Sequence, residues 1–206
     1  GGQEETDFIY FRPRLGSLIK LHIDDEFDDY EVVKEFYLQG GIETPAVYSN
    51  TEVANSEKKR FLQIGARFYE NETEKFAVVC TVDDYDYDER ITIMTTEEGR
   101  GLELLQRLED GFYDKGVLKN AFFDMEYNFV SRNEMVDTLI AWNDDIKKQL
   151  DKDVIEFLKI MPLLKQKGLP NSRGIILSGP PGTGKTMMAK SLAAQANVTT
   201  ILISAE

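Results

Sequence analysis

Gly174-Ile-Ile-Leu-Ser-Gly-Pro-Pro-Gly-Thr-Gly-Lys-Thr186 decides how the C-terminal part of this chain is read. A short apolar run, Ile175–Leu177, predicts a strand, and the helix-forming run Met187–Ala196 follows the loop at once. Between them lies G-x-x-x-x-G-K-[ST], in the strand–loop–helix setting that phosphate binding requires. Glycines let successive backbone N–H groups point inward at a phosphate, and the helix N-terminus adds partial positive charge. In such a loop Lys185 reaches the β- and γ-phosphates and the Thr186 hydroxyl is the candidate Mg²⁺ ligand.

Working outward, Val198–Ser204 predicts a second strand after the helix. A helical period over Ile146, Leu150, Val154, Phe157, Met161 and Leu164 leads toward the loop and ends at Gly168 and Pro170. Ser131-Arg132-Asn133-Glu134 reads as a helix start, with Ser131 or Asn133 as the cap, continuing through Trp142. Upstream, Phe61–Tyr69, Lys75–Val82, Ile91–Thr95 and Phe123–Phe129 read as strands, while Gly101–Gly116 takes helical period. Leu18–Ile23 alternates and predicts another strand; Glu31–Leu38 predicts a short helix; residues 1–16 read as a polar lead-in and Ser49–Lys59 as a loop. The fold class expected is an α+β N-terminal domain over 1–130, then a helical linker over 131–170. From 171 to 206 the start of an α/β phosphate-loop core is expected.

The 206 residues carry 37 acidic against 24 basic side chains, a formal charge of −13, which argues against nucleic acid as partner. A 42% apolar content supplies a buried core. The single cysteine, Cys80, excludes an intrachain disulfide and a cysteine-built metal site; its apolar run predicts a small buried hydrophobe. No apolar run approaches the roughly 18–20 residues needed to span a bilayer, and a reducing, cytoplasmic setting is expected. Asp84, Asp86 and Asp88 have calcium-loop spacing, yet the sixth position is Glu89 rather than glycine and the twelfth is Thr95 rather than glutamate. That run is read as a solvated hairpin loop. His22, the only histidine, is read as a surface residue.

The octapeptide Gly-Pro-Pro-Gly-Thr-Gly-Lys-Thr at 179–186 resembles that of the AAA+ ATPases, and their AAA branch most closely. Its approach, Leu163 to Pro170 and then Asn171-Ser172-Arg173-Gly174, is similar to the segment that precedes the family's first strand. The resemblance covers about residues 140–206. It implies ATP and Mg²⁺ as cofactors, held by Gly179, Pro180, Pro181, Gly182, Thr183, Gly184, Lys185, Thr186 and Met187. Lys185 is implied as the phosphate-contacting, catalytic residue and Thr186 as the metal-contacting one. Adenine contacts are implied within 133–150, where no signature assigns a residue. A hexameric ring of identical subunits is also implied. So is ATP-driven remodelling or unfolding of a protein substrate, met directly or through an adaptor by residues 1–130. The family's Asp-Glu-ended strand, sensor, arginine finger and lid have no counterpart in 1–206. These residues alone are therefore expected to lack appreciable ATP turnover. The alternatives are a nucleic-acid-directed relative, such as a loader or helicase, and a non-catalytic binding module.

Overall fold

The computed structural model describes residues 5–131 and 143–203. The first of these segments is built on an antiparallel sheet. Strands β1 (Glu5–Phe11), β2 (Glu31–Gln39), β3 (Ile42–Thr44), β5 (Lys58–Glu70), β6 (Lys75–Val82) and β7 (Glu89–Thr95) take the order β1-β7-β6-β5-β2-β3. Strand β4 (Val47–Glu52) pairs with the N-terminal half of β5. Helices α1 (Pro13–Glu26) and α2 (Arg100–Lys115) cover one face.

Register explains which face they cover. Cross-strand partners point to the same side of a sheet. The row Asp7, Ile93, Val78, Arg67, Glu35 and the row Ile9, Ile91, Cys80, Gly65 therefore share one face. Ile91, Ile93, Val78 and Cys80 are fully buried there, against Leu18 and Ile19 of α1 and Leu104, Leu108 and Phe112 of α2. Complete burial of one such side chain contributes roughly 1.5–3 kcal/mol. Burial also pushes the Cys80 thiol up to about 12, leaving it an inert hydrophobe as its surroundings in the sequence predicted.

Helix α2 follows the Leu105, Leu108 and Phe112 stripe, while Leu102 points outward and is exposed. Strands β5, β6 and β7 lie where alternation put them. Four upstream segments differ from expectation. Leu18–Ile23 is helical, because the stripe Leu15, Leu18, Ile19, His22, Ile23, Glu26 has helical spacing and two of its six members are polar. Pro13 starts this helix in its first turn, where a missing N–H costs nothing. His22 is consequently buried, with Nε2 3.2 Å from Glu26 Oε2, not on the surface. Glu31–Leu38 is strand β2 rather than a helix, since pairing to β5 and its β-branched and aromatic residues outweigh the i, i+4 pattern. The polar lead-in contains β1, held by seven register partners on β7. The loop over 49–59 carries the end of β4 and a 3₁₀ turn at Ala54–Ser56.

Two ionic clusters, the first buried and the second partly exposed, tie α1 to its surroundings. Lys20 Nζ donates to Gln63 O (2.9 Å), Thr81 O (3.0 Å) and the Glu89 carboxylate. Arg67 on the sheet donates to Asp24 and, through Nε at 2.7 Å, to Glu35.

The strand expected over 123–129 stops early. Strand β8 spans Phe122–Asp124, where Asp124 Oδ1 accepts from the amides of Glu126 (2.8 Å) and Asn128 (2.9 Å). This side-chain turn competes with strand pairing. The chain reverses through Tyr127, in the left-handed region at φ 63°, and Phe129 bridges back to Phe123.

In the second segment, α3 (Asp144–Leu150), a π-helical stretch (Asp151–Glu156) and α4 (Phe157–Gln166) form one continuous helical path. Asn143 caps it, its side chain accepting from the amides of Asp145 (3.0 Å) and Ile146 (3.4 Å). The candidate cap Asn133 and Trp142 lie outside the described residues. Helix α5 (Lys185–Gln195) follows the glycine-rich loop, and β9 (Thr200–Leu202) follows α5. Strand β9 pairs in parallel with β8, from Phe122↔Thr200 to Asp124↔Leu202. Ile175–Leu177, expected as a strand, is not paired, and Ile176 is 92% exposed. A strand exists only through its ladder partners, and among the described residues none lies against this run.

Candidate nucleotide-binding loop

The loop between Ser178 and helix α5 depends on backbone that side chains disfavour. Gly179, Gly182 and Gly184 have φ of 155°, 76° and 82°, and the last is the residue that caps α5. A Cβ would meet no atom within 4 Å at Gly182 or Gly184, so conformation rather than space requires glycine at these two positions. Thr183 Oγ1 donates to Pro180 O at 2.9 Å and closes the turn.

Helix α5 begins at Lys185, and the helical register leaves its first N–H groups without intrahelical acceptors. Among the described residues, the amides of Gly184, Lys185 and Thr186 donate to no backbone oxygen. Lys185 folds back over the loop, with Nζ donating to Gly179 O (2.8 Å) and Pro180 O (2.7 Å). Thr186 and Met187 are exposed beside it in the first turn of α5. Gly179 through Met187 thus form one continuous stretch that offers unpaired amides, an ammonium group and a hydroxyl at a helix N-terminus. That donor set matches a phosphate, which carries only acceptor oxygens and negative charge.

The approach segment is tied to the helix before it. Arg173 Nη1 donates to Asp153 O (3.1 Å) and Asp153 Oδ1 (3.2 Å), and its guanidinium lies 4.7 Å from the centre of the Phe157 ring. Burial in this segment is otherwise sparse, with Leu150, Ser191 and Leu192 its buried residues.

The aspartate run at 83–88 is a hairpin loop between β6 and β7. Asp83 Oδ1 accepts from the amides of Tyr85 (2.8 Å) and Asp86 (3.3 Å), which hold its carboxyl below the usual carboxylate range. No cluster of three or more His, Cys, Asp or Glu side chains is placed to hold a metal among the described residues. No helix among them is long and apolar enough to cross a membrane. The buried Lys20–Glu89 and His22–Glu26 pairs are invisible to a strand reading of Leu18–Ile23, which puts these side chains on other faces. The spacing of Lys20, His22 and Glu26 within the Leu15–Phe27 stripe was the available signal.

Comparison with known proteins bears on this same loop. The family described as "ATPase family associated with various cellular activities (AAA)" matches residues 175–206. An ATP-dependent zinc metalloprotease FtsH from Metamycoplasma arthritidis is 42% identical over 66 residues, covering 32% of this chain and 9% of that protein. Spastin from Rattus norvegicus is 40% identical over 99 residues, covering 44% of this chain and 17% of spastin. Human spastin is 42% identical over 79 residues, covering 35% of this chain and 13% of spastin. The chain therefore spans less than a fifth of the length of these relatives. Residues 175–206 are thus similar to the AAA family of ATPases, and the similarity to FtsH and spastin agrees with that match.

Proposed function

We propose that residues 171–206 open the ATPase domain of an ATP-driven machine that remodels or unfolds proteins, that 131–170 lead into it, and that 1–130 meet the protein partner. The observation that carries this reading is the set of unpaired amides at Gly184–Thr186 under a lysine-capped, glycine-rich loop. The chemistry of that set fits the triphosphate of ATP with its Mg²⁺.

In this reading the amides of Gly184, Lys185 and Thr186 bind phosphate oxygens, adding the positive end of α5. Lys185 exchanges the carbonyl oxygens of Gly179 and Pro180 for phosphate and neutralises its charge. The Thr186 hydroxyl takes a metal-binding role, Pro181 and Thr183 shape the loop's wall, and Met187 lies against the nucleotide. Bound ATP supplies a phosphoanhydride whose hydrolysis drives the work. The ATP-dependence and protease activity in the FtsH relative's name support an ATP-driven action on proteins, and a ring of identical subunits is part of the same proposal. The −13 charge weighs against a nucleic-acid-directed relative.

The test is equilibrium binding of ATP·Mg²⁺ to the full-length protein and its Lys185→Ala variant. The variant is expected to bind at least about tenfold more weakly, the loss of a charge-assisted contact. Equal affinity would remove the phosphate-loop assignment.

A further inference from the structure

The face of the sheet opposite α1 and α2 is apolar, and its register rows are long. One row runs Phe8, Thr92, Val79, Ala66, Phe36 across five strands, and the next runs Thr6, Met94, Ala77, Phe68, Lys34. Phe36 and Phe68 stack with ring centres 5.6 Å apart. Two open grooves of about 400 and 420 Å³ meet over Phe68, Ala77 and Met94. At the sheet's edge Phe8 is 52% and Tyr10 is 47% exposed. A sheet face of this breadth normally packs against something.

Its charges identify what. Lys34 is matched by Glu43 at 2.6 Å, and Glu70 lies opposite Lys75 in the register. Among the described residues Arg90 has no carboxylate partner: it stands in register with Tyr10 and Thr81, its guanidinium 4.2 Å from the Phe8 ring centre and 5.3 Å from that of Tyr10. Its Nε is sealed from solvent without a hydrogen-bond partner among the described residues. In a chain with thirteen more acidic than basic side chains, a cation left unpaired between two exposed aromatic rings calls for an anion from outside.

We propose that this face docks a segment of a partner protein whose apolar side chains fill the grooves around Phe68 and whose aspartate or glutamate pairs with Arg90. The proposal rests on the reading of residues 1–130 as the part that meets a protein partner, and adds the surface and its chemistry. Phe8 and Tyr10 lie against the Arg90 guanidinium and restrict its orientation, and such a planar group pairs with a carboxylate through two parallel N–H groups.

The test is selection of phage-displayed random dodecapeptides on the 206-residue chain, followed by fluorescence-anisotropy titration of the enriched peptides. Enriched sequences are expected to combine apolar residues with an aspartate or glutamate. Arg90→Gln, and separately amidation of the peptide's acid, are each expected to weaken binding by about tenfold. Arg90→Glu is expected to reverse the preference toward the same peptide carrying lysine, a rescue that a misfolded variant does not give. Phe8→Ser, at an exposed position, is expected to weaken binding as well. Peptides that bind the Arg90→Gln and Phe8→Ser chains unchanged would overturn this surface and leave partner recognition by residues 1–130 standing. A selection that enriches nothing would overturn both. Self-association that competes with the peptides and is lost in Phe8→Ser would assign the face to a second copy instead, against the proposal.

Discussion

Phe112 is wholly enclosed between two helices and a sheet, while Lys185 lies at the mouth of a loop whose neighbours are mostly exposed. The two residues stand for two regions built on different terms. Residues 5–131 hold their shape through contacts distant in sequence, such as β1 on β7 and Lys20 on Glu89. The loop at 179–186 holds its shape through contacts within six residues, from Thr183 and Lys185 to the carbonyl oxygens of Gly179 and Pro180. Chemistry can therefore be written locally at the loop, whereas stability cannot be written locally anywhere in the sheet domain.

The comparison predicts a separation of effects. Phe112→Ala should cost about 3–5 kcal/mol, because a fully buried aromatic leaves a cavity that the close-packed core cannot refill. Urea unfolding followed by the far-ultraviolet signal would read it. A change below about 1 kcal/mol would mean the core is looser than its burial indicates. Glu89→Gln should cost somewhat less, about 3 kcal/mol, by stranding the buried Lys20 ammonium with only two carbonyl oxygens. The double variant Lys20→Met with Glu89→Gln should recover part of that loss, and a loss equal to the sum of the singles would contradict a coupled pair.

Lys185→Ala should leave the unfolding midpoint of the sheet domain unchanged within about 0.5 kcal/mol, since the half-exposed side chain bonds only within its own loop. A large drop would mean that the loop and the sheet domain are energetically coupled. The smallest effect concerns acid. Arg100 donates to Glu74 from Nε (2.9 Å) and Nη2 (2.7 Å), and with Tyr30 it holds the Glu74 carboxyl down to about 2. A depressed folded value means the contribution is present above the ordinary value of 4.5 and is lost as pH falls toward 2. Because solvent screens this surface network, the contribution should stay below about 1 kcal/mol. Glu74→Gln should flatten the stability profile between pH 4.5 and 2; an unchanged slope would place the acid sensitivity elsewhere.

Strand β9 joins the two regions. Its parallel pairing with β8, reinforced by Thr199 Oγ1 donating to Leu118 O at 3.1 Å, sets the chain that follows α5 against the end of the sheet domain. Neither strand exceeds three residues, and neither reads as a member of this pair from its own sequence.

Helix α2 and strands β5 to β7 were legible because their apolar periods are unbroken over many residues. Helix α1 was not, because His22 and Glu26 interrupt its stripe and are buried only by virtue of each other and of Arg107, whose Nε donates to Glu26 Oε1 at 3.0 Å. Strand β2 was not, because nine residues rich in valine and aromatics suit either structure until β5 is beside them.

The glycine-rich loop, the helix after it and their resemblance to the AAA family were legible from the amino-acid sequence. Each rests on backbone preferences and spacing within a dozen residues. Only the tertiary structure decided that Leu18–Ile23 is helical, that residues 5–11 are a strand, and that Arg90 stands unpaired on an open apolar face. These outcomes depend on which distant residue is the partner, and pairing free energy is realised only once the chain has folded to bring the partners together.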